Sequence, residues 1–170
     1  MSTVGILGAN GRMGRALVCI AKEQQLPITA ATVRSGSALT GMDAGELAGC
    51  GKLNLPFIET SVTALACADI WIDFTMPDAM LQHLELAVQA KKALVIGVTG
   101  LTDIQYAAVQ QAAKHIPIVW APNMSVGVNL LLHLVETAAK VMGQTADIEI
   151  IEAHHRFKKD SPSGTAMAIG

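Results

Sequence analysis

A doubly wound α/β domain built on a parallel sheet is the fold class that the sequence predicts, and three observations predict it. Short, nearly continuous apolar runs at 3–7, 28–33, 69–74, 93–97 and 116–120 alternate five times with helical patterns. Runs that are apolar on both faces belong to a parallel sheet covered on both sides. Glycine and polar residues suited to holding a ligand recur just after these runs, at Gly8, Arg34, Thr75, Gly97 to Thr99 and Ala121 to Asn123. In folds of this kind ligands sit at the carboxyl ends of the strands. The chain has 170 residues, 51% hydrophobic and 15% charged, which suits one ordinary core and is far from a disordered composition.

Each element follows from local pattern. The first strand, 3–7, runs into Gly8-Ala9-Asn10-Gly11-Arg12-Met13-Gly14 and then a helix from Arg15. Strand, glycine turn and helix together are the context of a dinucleotide-binding motif, and they make the sheet Rossmann-type. Small residues let the backbone approach a pyrophosphate, and the helix start offers free N–H groups and the positive end of its dipole. The second strand, 28–33, ends in Val33-Arg34-Ser35, with no acid nearby to hold adenosine ribose hydroxyls. Arg34 beside hydroxyl groups suits a 2′-phosphate, so NADPH is expected ahead of NADH; the plainer reading of Arg34 is a solvated strand end. Residues 35–54 read as a glycine- and serine-rich loop with a short helix near 43–48, either over the adenosine end or simply connecting.

A helix at 61–67 leads to the strand 69–74, which ends in Asp73-Phe74-Thr75-Met76-Pro77. Pro77 suits a first helical turn, and the helix continues over 78–91. The strand 93–97 ends in Gly97-Val98-Thr99-Gly100, and Thr102 with Gln105 forms a capping-box pattern opening a helix at 102–115. The strand 116–120 ends in Ala121-Pro122-Asn123, and a long apolar-striped helix over 125–142 is expected to pack against something large. His83, His115 and His133 read as structural or solvated. A final strand over 147–153 leads into the most charged stretch of the chain.

That stretch, 152–166, holds His154, His155, Arg156, Lys158 and Lys159, then Pro162-Ser163-Gly164-Thr165, in a chain of formal charge −2. Histidine titrates near neutral pH and suits proton donation during a reduction. Ser163 is placed to cap a helix, with Gly164 and Thr165 in its first turn offering N–H groups to a carboxylate. A small substrate with one or two carboxylates fits this chemistry, while a solvated basic loop is the ordinary fate of a charge run. No Cys, Asp or Glu completes a metal-ligand set around the histidines, so no metal is expected.

The near-neutral charge excludes a general nucleic-acid binder. Cys19, Cys50 and Cys67 are scattered without a C-x-x-C pair, which fits a reducing cytoplasm rather than a disulfide framework. The first residues show no pattern of a secretory leader, and the apolar run 126–132 is too short to span a bilayer, so no membrane partner is expected.

Glu152-Ala153-His154-His155-Arg156, Lys158, Asp160 and Pro162-Ser163-Gly164-Thr165-Ala166 together resemble the signature of the 4-hydroxy-tetrahydrodipicolinate reductase (dihydrodipicolinate reductase) family. The likeness extends to the glycine turn 8–14, to 73–75, to 97–100 and to Ala121-Pro122-Asn123-Met124-Ser125 and the residues after it, so it covers essentially the whole chain. It implies hydride transfer from NADPH or NADH to a cyclic dicarboxylate, giving tetrahydrodipicolinate on the diaminopimelate route to lysine, by a cytoplasmic homotetramer. His154 would be the proton donor or acceptor and Lys158 the second proton donor. His155, Gly164 and Thr165 would bind substrate carboxylates. Gly8, Ala9, Asn10, Gly11, Arg12, Met13, Arg34, Gly97, Val98, Thr99, Ala121, Pro122, Asn123 and Met124 would bind the cofactor. Many members carry an acid where this chain has Val33, and members are longer. The expectation is therefore a dinucleotide-binding domain over 1–125 and, over 126–170, the beginning of an α+β substrate and oligomerisation domain that is cut short. The alternative is a truncated, non-catalytic NADPH-binding fragment.

Overall fold

The computed structural model describes residues 1–154, 156 and 161–170. They form two compact units, Met1–Trp120 and Ala121–Gly170.

The first unit is a six-stranded parallel sheet: β1 (Val4–Leu7), β2 (Ile28–Val33), β3 (Phe57–Glu59), β4 (Ile70–Asp73), β5 (Ala93–Ile96) and β6 (Ile118–Trp120), in the order β3-β2-β1-β4-β5-β6. The chain first moves outward on one side of β1, then returns and moves outward on the other. The crevice where strand order reverses therefore opens between the carboxyl ends of β1 and β4. Helices α1 (Arg12–Glu23), α2 (Ala44–Ala48), α3 (Val62–Leu65), α4 (Pro77–Ala90) and α5 (Asp103–Ala112) supply the layers.

Two cores lie on the two faces of this sheet. Successive strand residues point to opposite faces, so neighbouring Ile6 and Leu7 enter different cores. Ile6, Val18, Ala31, Val33 and Phe57 form one, with Val18 from α1. Leu7, Leu65, Trp71, Met80, Leu84, Leu94, Ile96 and Val109 form the other, drawn from α3, α4 and α5 as well as strands. Trp71 is wholly buried, and its Nε1–H donates to Leu65 O at 2.9 Å, so its one polar atom is satisfied. The capping box at Thr102 and Gln105 is present with both reciprocal hydrogen bonds.

The second unit contains α6 (Val126–Met142) and α7 (Gly164–Ile169). Ser125 caps α6, its Oγ accepting from the Val128 N–H. The packing expected of the long helix is not found among the described residues: none of α6 is buried, and Val126, Leu130 and Leu134 are exposed.

Two further differences from the sequence expectations have physical causes. The sheet has six strands rather than five, because Phe57–Glu59 pairs in parallel with Ala31, Thr32 and Val33 at the sheet edge. The strand expected at 147–153 is not one: its described residues take no strand conformation, since a strand requires a ladder partner and they pair with none.

Candidate active site

In the first unit the glycine turn lies at the crevice. Gly8 follows β1 with φ +60°, a conformation that side-chain-bearing residues rarely adopt, and a Cβ there would meet Thr75 Cγ2 at 2.5 Å. The Gly11 N–H donates to Gly8 O at 3.0 Å and closes the turn, while the Ala9 N–H donates to Thr32 O on β2 at 2.9 Å. Gly14 is buried in the first turn of α1, and a Cβ there would lie 2.5 Å from both Ala9 Cα and Gly8 O. Only glycine lets the helix start so close to the turn.

The N-cap of α1 is Gly11, which gives no side-chain hydrogen bond, and the first turn holds no acid. Its amides thus meet neither a capping side chain nor a competing carboxylate. A cradle that a Cβ would fill, opening an uncapped helix start, fits the pyrophosphate of a dinucleotide. Ala9 is buried beneath this turn; Asn10, Arg12 and Met13 are exposed around it.

Across the crevice, the end of β4 is held from behind. Asp73 is fully buried; its Oδ1 accepts from the Thr75 N–H at 2.8 Å and from Thr75 Oγ1 at 2.6 Å, and its Oδ2 lies 2.7 Å from His83 Nδ1 on α4. Thr75 is thereby fixed against Gly8. The next strand end is tied to the same place: the Gly97 N–H donates to Asp73 O at 2.8 Å, and Trp120 Nε1–H donates to Val98 O at 3.0 Å. Gly97 and Thr99 are half-buried and Val98 is buried.

At the outer side of β2, Arg34 is exposed. The turn after it is closed by the Ser37 N–H donating to Arg34 O at 3.2 Å. Glu59, from the end of β3, accepts from Ser35 Oγ at 2.5 Å and from the Gly36 N–H at 2.9 Å. The Ser35 hydroxyl, and then the Gly36 amide, hold the Glu59 carboxyl below its ordinary range.

The second unit gathers the other residues singled out by sequence. Asn123 Nδ2 donates to Thr165 Oγ1 at 3.1 Å, and Asn123 Oδ1 accepts from the Ser125 N–H at 2.9 Å. Asn129 Nδ2 donates to Asn123 O at 3.0 Å and Ser125 O at 2.8 Å, fixing the 123–125 segment to the start of α6. Ala121 is half-buried, while Pro122 and Met124 are exposed.

Ser163 caps α7, its Oγ accepting from the Ala166 N–H at 3.0 Å, with Gly164 and Thr165 in the first turn. Glu152 joins this helix start to the histidine. One carboxylate oxygen accepts from the Ser163 N–H at 2.8 Å and the other lies 2.6 Å from His154 Nδ1. That contact engages Nδ1 of the His154 ring. His155 and Lys158 lie outside the described residues. Among the described residues no group of three His, Cys, Asp or Glu side chains could hold a metal ion.

Asp73, Glu59 and Glu152 are the residues whose part the sequence did not assign, while His83, read from sequence as structural or solvated, is buried against Asp73. The contact of Glu59 with Ser35 spans 24 residues and depends on folding, whereas Glu152 stands close in the chain to His154 and Asp73 to Thr75.

Residues 2–124 match the family model "Dihydrodipicolinate reductase, N-terminus", and residues 127–170 match "Dihydrodipicolinate reductase, C-terminus". The chain belongs to the dihydrodipicolinate reductase family. It is 54% identical to the 4-hydroxy-tetrahydrodipicolinate reductase of Pseudoalteromonas atlantica, over 100% of this chain and 64% of that protein. It is 50% identical to the enzyme of the same name from Acinetobacter baumannii strain AYE, over 98% of this chain and 61% of that protein. Among solved structures, the dipicolinate-bound dihydrodipicolinate reductase from Paenisporosarcina sp. TG-14 matches with a TM-score of 0.71 at 27% identity, covering 99% of this chain and 64% of that one. The chain thus spans under two thirds of the length of these family relatives. The aspartate semialdehyde dehydrogenase of Candida albicans, solved with NADP, shares the fold at a TM-score of 0.55 and 16% identity, covering 84% of this chain and 48% of that one.

Proposed function

We propose that this chain carries the cofactor-binding and proton-transfer parts of an NAD(P)H-dependent 4-hydroxy-tetrahydrodipicolinate reductase serving diaminopimelate and lysine synthesis in the cytoplasm. The observation that carries the proposal is the glycine cradle at the strand-order reversal, together with the family match over both parts of the chain.

In this reading the turn from Gly8 to Met13 and the start of α1 bind the pyrophosphate, and Thr75, Gly97, Val98 and Thr99 line the crevice. Ala121, Pro122, Asn123 and Met124 bind the same cofactor. Arg34 favours the 2′-phosphate, which places NADPH ahead of NADH. When bound, the nicotinamide supplies the hydride. His154, held through Nδ1 by Glu152, donates or accepts a proton at Nε2, and Lys158 donates the second. His155 and the amides of Gly164 and Thr165 hold the substrate carboxylates. Asn123 links the two roles, since it lies on the cofactor-binding segment and its amide donates to Thr165.

A second reading is a chain that binds NADPH without catalysis. Titration of NADPH with and without dipicolinate separates the two. The reductase reading expects the dicarboxylate to bind and to tighten the cofactor; cofactor binding indifferent to dipicolinate leaves only the second reading. A homotetramer is the assembly proposed for the family's longer members.

A further inference from the structure

We propose that Glu59 is a specificity-determining residue at the adenosine end of the cofactor site, supplying from β3 the acid that the end of β2 lacks and so restraining the preference for a 2′-phosphate. The inference rests on the cofactor reading above and concerns which of two nucleotides that site favours.

In dinucleotide folds the adenosine ribose lies at the end of the second strand, where a carboxylate accepts from its hydroxyls. Here β2 ends in Val33, and residues 33–36 bring only Arg34 as a charge. Strand pairing restores an acid: Val33 stands opposite Glu59 in the parallel register. The pairing is locked one residue further on. The Thr60 N–H donates to Val33 O at 3.0 Å, and Thr60 Oγ1 lies 3.1 Å from Val33 O and 3.0 Å from Thr32 Oγ1. Glu59 is thus carried to the end of β2 by the sheet rather than by a chance surface contact.

Its carboxylate then engages both central residues of the 34–37 turn, the Ser35 hydroxyl and the Gly36 amide. These are two donors that a phosphate at this strand end would use beside the Arg34 side chain. With both committed to Glu59, a 2′-phosphate finds Arg34 and a nearby negative charge. A ribose 2′-hydroxyl finds a carboxylate, which has about four acceptor sites and uses two on the turn. The depressed carboxyl pKa keeps that charge in place at neutral pH. Arg34 and Glu59 therefore pull selectivity in opposite directions, and the chain accepts NADH as well as NADPH.

The test is the ratio of dissociation constants for NADPH and NADH, measured on the full chain and on Glu59→Gln at low and high salt. The amide side chain of that variant keeps a carbonyl oxygen for the turn and removes the charge. The expected result is NADPH binding tightened about fivefold relative to NADH, with the change shrinking at high salt because exposed charges are screened. An unchanged ratio, or an equal change for both nucleotides, overturns the assignment and leaves the cofactor reading standing. If the wild-type chain binds neither nucleotide, the cofactor reading falls and Glu59 with it.

Discussion

His83 Nδ1 lies 2.7 Å from Asp73 Oδ2, and the second oxygen of the same carboxylate holds both the amide and the hydroxyl of Thr75. One buried side chain thus connects α4 to the wall of the crevice. Removing one partner of a buried hydrogen bond leaves the other unsatisfied, at a cost of about 1–3 kcal/mol. Asp73→Ala is therefore expected to lose about that much stability in chemical denaturation. Thr75→Ala, which leaves the buried pair intact, should lose much less.

Gly14→Ala tests the cradle. The new Cβ would lie 2.5 Å from backbone atoms of Ala9 and Gly8, neither of which has a flexible end to move aside. Overpacking of this kind costs about 1–3 kcal/mol. The helix start should shift away from the turn, weakening NADPH and NADH together, as a titration with both nucleotides would read.

Arg34→Ala tests the adenosine end. The expected loss is about tenfold for NADPH, equivalent to about 1.4 kcal/mol, with little change for NADH. Equal losses for both nucleotides would remove the 2′-phosphate role.

Acid stability should depend on Asp69. Its carboxyl is held below its ordinary value by the Thr3 amide first, then by the Thr3 hydroxyl, at 2.9 and 3.0 Å. A carboxyl depressed in the folded state binds its proton more readily when unfolded. Its stabilisation is therefore full above the unfolded value of about 3.9 and is lost as pH falls through the folded value. The stability gap between wild type and Asp69→Asn should be widest near neutral pH and should close below about pH 4. Denaturation midpoints measured across that range check it.

Much of this architecture could be read from the chain because its signals are local. Apolar runs, the glycine turn, Pro77 at a helix start and the Thr102–Gln105 box all act on neighbours within a few residues. The short strand Phe57–Glu59 escaped notice because three residues carry too little pattern, and it exists only by pairing with β2. The alternation of Ile148 and Ile150 misled in the opposite sense, since alternation without a ladder partner makes no strand. In the candidate site, the Ser163 cap was legible from its own tetrapeptide. Glu59 was not, because its contact with Ser35 spans 24 residues and depends on sheet register. Asp73 appeared in sequence as part of a strand end, while its bond to His83 required the first turns of α4 to be built.

The proposed role of His154 in moving a proton during reduction is read most directly from the rate of NADPH oxidation when 4-hydroxy-tetrahydrodipicolinate is added to the chain. Substrate-dependent oxidation that falls about 10²–10⁴-fold in His154→Ala, with cofactor affinity retained, is the predicted result. Oxidation at the same rate in His154→Ala, or no substrate-dependent oxidation by the wild-type chain, would contradict it.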